Sequence, residues 1–268
     1  MAVCYRHPDR ATGITCNRCS AFICPECMVN APVGFQCPSC AAISNPRATR
    51  AREVRQGWLR NMPRVSREIF LACVGVYLIT RIFGLTDDYE YRFSMWPQAV
   101  ADGQWYRLIT AAFLHGSILH ILFNMYALYI LGPNLERMLG SRKFFYIYFL
   151  SALGGSTLGL WFSDPNSISV GASGAIFGLL TATIVIGRSL NADVQQLVVL
   201  LVINAVLSFS GGIDWRAHLG GALTGALVAA IYVRDPSLSN SRAHQLGTVA
   251  VFLGLLALIY VRCQQLAF

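Results

Sequence analysis

Two sets of residues in this chain have the types and spacings that do chemistry. The first is one hydroxyl and one imidazole. Ser173 stands in Gly171-Ala172-Ser173-Gly174, at the mouth of an apolar segment that runs to about Ile186, and His218 stands near the start of another, Trp215 to Val233. Gly174 and Gly178 form a GxxxG pair, and Gly221 and Gly225 form a second. Small residues at that spacing let two helices in a membrane approach backbone to backbone. Gly221 and Gly225 follow His218 at i+3 and i+7, so they share the face that carries the imidazole. Two such helices would hold a nucleophilic serine beside its base.

The second set lies in residues 1 to about 45. Eight potential ligands form four pairs: Cys4-x-x-His7, Cys16-x-x-Cys19, Cys24-x-x-Cys27 and Cys37-x-x-Cys40. A two-residue gap lets both side chains grip one tetrahedral ion, so four pairs give two zinc sites. A disulfide cluster is the competing reading and needs an oxidising compartment. So short a segment buries little core, and metal binding would supply most of its folding energy. Phe22, Phe35 and the prolines are expected to fill the space between the ions. Cys73 and Cys263 lie in or beside apolar runs and read as buried thiols.

The elements that must position these residues follow from composition. The 268 residues are 55% hydrophobic and 13% charged, about half the charge of a soluble domain. Several apolar runs reach the roughly 20 residues that cross a bilayer. Seven spans are expected, near 67–85, 113–133, 143–162, 172–188, 193–210, 215–233 and 246–263. The net charge of +8 is concentrated between the Cys-rich head and the first span, at Arg47, Arg50, Arg52, Arg55, Arg60, Arg64 and Arg67. Directly before a membrane helix, such a run sets topology and meets anionic lipid; nucleic-acid binding is the weaker reading. The head is therefore expected in the cytoplasm, which favours zinc, and the C-terminus outside. No apolar signal-peptide core precedes the head, so no cleavage is expected. Residues 46–66, with Trp58, form either an interfacial helix or a flexible tether. The loop near 86–112 is long, and Trp96, Trp105 and Tyr106 suggest that it lies partly in the membrane interface.

In the second span, His120 and Asn124 stand at i and i+4 and share one face. Spans two, four and six all enter from the outer side, and His120, Asn124, Ser173 and His218 each lie near the beginning of their span. All four therefore sit at similar depth, as one water-accessible site would require. Ser173 would attack and His218 would take its proton. The Asn124 amide, His120 and the Ser173 N–H would hold the oxyanion at a favourable helix start. Asp214 is a full turn from His218, so a dyad is the simpler reading.

These residues resemble the rhomboid intramembrane serine proteases over about 67–263. The carrying motifs are His115 with His120-x-x-x-Asn124, Gly171-x-Ser173-Gly174, and Ala217-His218-x-x-Gly221-x-x-x-Gly225. The resemblance implies an all-α polytopic fold of six core helices plus a seventh C-terminal span. It implies Ser173 as nucleophile, His218 as base, Phe177 against the His218 ring, and no metal in catalysis. Its substrates would be transmembrane or membrane-adjacent segments, cut near small and helix-breaking residues. The head resembles a B-box finger, which implies that Cys4, His7, Cys24 and Cys27 share one ion and Cys16, Cys19, Cys37 and Cys40 the other; by spacing alone two sequential sites stay open. Two motifs depart from the family: Tyr106 stands at a Trp position in Trp105-Tyr106-Arg107, and Glu136-Arg137-Met138 lacks a second Arg. An inactive scaffold with the finger as a docking module for an unidentified protein is the main alternative, disfavoured because both Ser173 and His218 are present. A transporter lacks the mid-span Asp, Glu or Lys it would need.

Overall fold

A computed structural model describes residues 2–31, 34–44, 58–209, 213–234 and 242–267. It divides into two compact units, Met1–Met62 and Pro63–Phe268.

In the first unit, β1 (Val3–Cys4) and β2 (His7–Ala11) pair antiparallel, with Cys4 opposite His7. The tight turn is what the Cys-x-x-His spacing encodes. A second antiparallel pair, β3 (Val29–Asn30) and β4 (Phe35–Gln36), leads into helix α1 (Pro38–Ser44). The buried cluster is Cys4, Cys16, Ile23, Cys24, Cys27, Cys37 and Cys40, with Ile14, Met28 and Phe35 packed against it. Among the described residues, Ile23 is the one aliphatic side chain in the buried set. The expected place of Phe22 in this centre is corrected: Phe22 is 40% exposed and Ile23 is 0% exposed. Phe22 forms a β-bridge with Thr15. Successive residues of an extended segment point to opposite faces, so an inward Ile23 turns Phe22 outward. Most of residues 46–66 fall outside the described residues; one helical turn covers Trp58–Asn61.

The second unit is helical. Its long helices are α2 (Arg64–Ile82), α3 (Ile118–Leu139), α4 (Ser141–Phe162), α5 (Ser173–Ser189), α6 (Gln195–Leu207), α7 (Trp215–Tyr232) and α8 (Arg242–Leu266). By length and composition, α3, α4 and α8 could each cross a membrane, and α5 and α6 are shorter apolar helices. The start of α3 differs from the expected 113. Ser117 caps the helix, accepting the His120 N–H at 3.2 Å, so His115 lies in the extended segment before it.

The centre of this unit is α7, held between α4 and α5 with backbone against backbone. A Cβ added to Gly221 would strike the Gly174 carbonyl, and one on Gly225 the Gly178 backbone. On the other side, a Cβ on Gly155 would come within 2.7 Å of the Ala217 oxygen, and one on Gly220 would strike the Gly154 carbonyl. Lipid tails are as apolar as leucine, so close van der Waals contact of this kind must replace the hydrophobic effect between helices. Leu128, Phe144, Ile147, Leu179, Ile186, Val228 and Tyr232 continue the core towards the other end. By contrast α6 has no buried residue along its length.

Glu136, 2% exposed, ties the opposite end together. Its carboxylate accepts the N–H groups of Val65 and Ser66 at 3.0 and 2.7 Å, and the hydroxyls of Ser66 and Ser141 at 2.7 and 2.6 Å. A carboxylate on the first N–H groups of α2 meets both their missing partners and the helix dipole. Four bonds to one side chain thus hold this corner without a second Arg after Arg137.

The segment between α2 and α3 contains short helices at Thr86–Phe93, Pro97–Ala101 and Arg107–Thr110. Arg107 is 3% exposed and ties them: it donates to Gln104 Oε1 at 2.7 Å and to the carbonyls of Tyr91 and Ser94 at 2.8 and 3.0 Å. Its guanidinium lies 5.6 Å from the Trp96 ring and 5.8 Å from that of Tyr106. The Tyr106 hydroxyl lies 3.2 Å from the Arg92 carbonyl and 3.1 Å from Gln104 Oε1, and gives its one hydrogen within this loop.

Candidate active site and metal-ligand clusters

One cavity of about 570 Å³ gathers the membrane residues singled out by sequence: His120, Asn124, Gly171, Ser173, Gly174, Phe177 and His218 all line it. Gly221 and Gly225 do not; they lie further along α7 and set how closely it meets α5. Ser173 is the first residue of α5 and half-buried, so its hydroxyl sits at the positive end of the helix dipole with access to the cavity. Gly171 precedes it with φ +132°, and a Cβ there would come within 2.6 Å of His120 Nε2. Only glycine meets both demands. The strand leading in is pinned: Ser169 and Met95 exchange two backbone hydrogen bonds at 2.9 Å, and the Gly171 N–H donates to the Ala111 carbonyl at 2.9 Å.

Asn124 is 6% exposed and donates one amide hydrogen to the His120 carbonyl at 2.8 Å. An amide nitrogen carries two hydrogens, so one remains for the cavity. His115, outside the helix, meets the His120 ring edge to face at 5.1 Å.

His218 is 8% exposed. Phe177, one turn after Ser173, stacks on its ring at 4.1 Å between centroids and 15° between planes. Its Nδ1 lies 2.6 Å from the hydroxyl of Ser208, a residue sequence reading missed. A serine at the end of an apolar helix is ordinary, and no spacing links positions 208 and 218 across a loop. Asp214 serves the helix start instead. Its carboxylate caps α7, accepting from the N–H groups of Arg216 and Ala217 at 3.1 and 3.3 Å.

In the first unit the ligand atoms fall into two groups, Cys4, His7, Cys24 and Cys27, and Cys16, Cys19, Cys37 and Cys40, each within 4.8 Å of one another. A tetrahedral ion with metal–sulfur bonds near 2.3 Å needs sulfurs about 3.8 Å apart. Cys19 and Cys37 stand at 3.8 Å, and His7 Nδ1 is 3.4 Å from Cys24 and Cys27 and 3.8 Å from Cys4. Both groups could therefore hold an ion, and the grouping is first pair with third and second with fourth. Against the pull of burial, backbone hydrogen bonds from Arg6 and Cys24 hold the Cys4 thiol down to about 6. The side-chain bond with Cys37 pushes Cys40 up to about 12. A cation bound in either group would displace the remaining thiol protons.

A family model described as the Rhomboid domain matches residues 102–235. Among curated proteins, the mitochondrial RHOMBOID-like protein 6 of Arabidopsis thaliana is 35% identical over 148 residues, 53% of this chain and 48% of its own length. The rhomboid protease GluP of Bacillus subtilis (strain 168) is 38% identical over 137 residues, 49% of this chain and 27% of GluP. The putative rhomboid protease YdcA of the same organism is 36% identical over 142 residues, 50% of this chain and 71% of YdcA. The chain thus spans half or less of the first two, and most of the third.

Proposed function

The chain belongs to the rhomboid family, and from that premise we propose that it is an intramembrane serine endopeptidase that cuts transmembrane or membrane-adjacent segments of membrane proteins with a Ser173–His218 dyad. The observation that carries this is the shared cavity, which Ser173 at the start of α5, His218 of α7, Asn124 and His120 all line.

Ser173 Oγ attacks the substrate carbonyl and His218 Nε2 takes its proton, then returns it to the leaving amine. The free Asn124 amide hydrogen, His120 and the Ser173 N–H stabilise the oxyanion. Phe177 holds the imidazole plane against α5. The reaction needs no metal.

The chain is a multi-pass membrane protein. Within that frame we place six core helices and a seventh, C-terminal span in residues 67–263, behind the basic linker 46–66. The finger, residues 1–45, faces the cytoplasm and the C-terminus the outside, following the arginine distribution. The finger carries two structural zinc ions that stabilise its fold. Nucleic acid is not a partner. By analogy with the family, substrate would enter past α6, which has no buried residue along its length.

The deciding experiment reconstitutes wild type and Ser173→Ala in lipid vesicles with a single-span substrate. Wild type should cut it and the variant should not. Equal cleavage by both sinks the protease reading.

A further inference from the structure

The dyad has a third partner, and the hydrogen bonds around it fix which way its protons run. Ser208 is 3% exposed and follows the last turn of α6. Its Oγ lies 2.7 Å from the Asn204 carbonyl oxygen and 2.6 Å from His218 Nδ1. A carbonyl only accepts, and a serine hydroxyl has a single hydrogen. The bond to Asn204 therefore uses that hydrogen, and the contact with His218 must use one from the ring. With the hydroxyl hydrogen on Asn204, Nδ1 is the donor, Ser208 Oγ the acceptor, and the ring's lone pair is on Nε2.

We propose that Ser208 is a positioning residue for catalysis: it fixes His218 in the Nδ1–H tautomer, with Nε2 as the base on the ring that lines the cavity with Ser173. The inference rests on the protease reading. It adds a role for a side chain that acts through the imidazole. When Ser173 gives its proton to Nε2, the imidazolium keeps its Nδ1–H on Ser208, so the same bond serves both protonation states. Phe177 fixes the plane of the ring by stacking, and Ser208 fixes its rotation within that plane. Two constraints at right angles leave the imidazole one orientation. Rings without an oriented partner on the far nitrogen divide between tautomers, and half-correct protonation lowers turnover without weakening substrate binding.

The acceptor comes from α6, which has no buried residue of its own. The orienting bond exists only while the end of α6 is seated against α7. Proton transfer is thus tied to the seated position of α6.

The test uses the full chain in vesicles with a fluorogenic single-span peptide, and a fluorophosphonate as probe of Ser173 nucleophilicity. Ser208→Ala should lower kcat about ten-fold with KM unchanged, the size expected for one hydrogen bond to a group that becomes charged. Fluorophosphonate labelling should slow in parallel. Ser208→Thr, which keeps the hydroxyl, should restore most of both. Nitrogen-15 NMR should show His218 protonated at Nδ1 in the wild type and a tautomer mixture in Ser208→Ala. Wild-type kcat in Ser208→Ala, with Ser173→Ala inactive, overturns the inference and leaves the protease reading standing. A Thr variant as slow as the Ala variant, with equal loss of thermal stability in both, reduces Ser208 to a structural contact and also overturns it. Cleavage by Ser173→Ala defeats the protease reading itself.

Discussion

At the residue scale the proposed oxyanion donor is the sharpest point. Asn124 has one amide hydrogen committed to the His120 carbonyl and one left for the cavity. Asn124→Ala is expected to lower kcat about 100-fold with little change in KM, since a donor aimed at developing charge acts in the transition state. Steady-state kinetics on a membrane substrate measure this. That Ser173, His218, His120 and Asn124 line one cavity was legible in the sequence, because polar groups are rare in apolar spans and each of these stands near the start of its span. Phe177 was reached through family resemblance alone. Ser208 escaped both routes, because its meaning depends on how a loop returns the chain from α6 to α7, and pairing across a loop leaves no periodic trace.

At the element scale the fold rests on glycines whose missing Cβ atoms admit another backbone. Gly225 faces the Gly178 backbone, whereas Gly75 of α2 has nothing near its missing Cβ. Gly225→Val should therefore cost ~3 kcal/mol by forcing α5 and α7 apart. Gly75→Ala should instead gain up to about 1 kcal/mol through helix propensity. Unfolding in mixed micelles compares the two, and equal effects would falsify the account of close packing. Glu136→Ala should cost about 3 kcal/mol, because it strips the first N–H groups of α2 of their acceptor in a buried corner. The GxxxG pairs announced the α5–α7 contact. The equally close contact of α7 with α4 was hidden: Gly154-Gly155 and Gly220-Gly221 are adjacent pairs, and adjacency does not mark one helix face.

At the scale of the whole molecule, the two units stabilise themselves by different means. The first encloses thiols around Ile23 and has little else apolar. We expect chelation to remove two zinc ions and unfold it, seen as loss of dispersion in its NMR spectrum, while the purified protein goes on cutting. Cleavage that falls on chelation and returns with zinc contradicts that separation. The four Cys/His pairs were readable because metal geometry imposes short spacings. The inward turn of Ile23 rather than Phe22 was not, since alternation gives two faces and says nothing of which faces the centre. In the second unit the helices follow from apolar length, but their lateral order does not, as every apolar stripe is satisfied equally by lipid or by protein.

The bare flank of α6 has a consequence for the medium around it. Val199, Val202, Ile203 and Val206 are all exposed, so in a bilayer the outer face of α6 would meet hydrocarbon chains. Acyl-chain length and order then act as reaction variables, and turnover should change between thin and thick bilayers at constant temperature and substrate load.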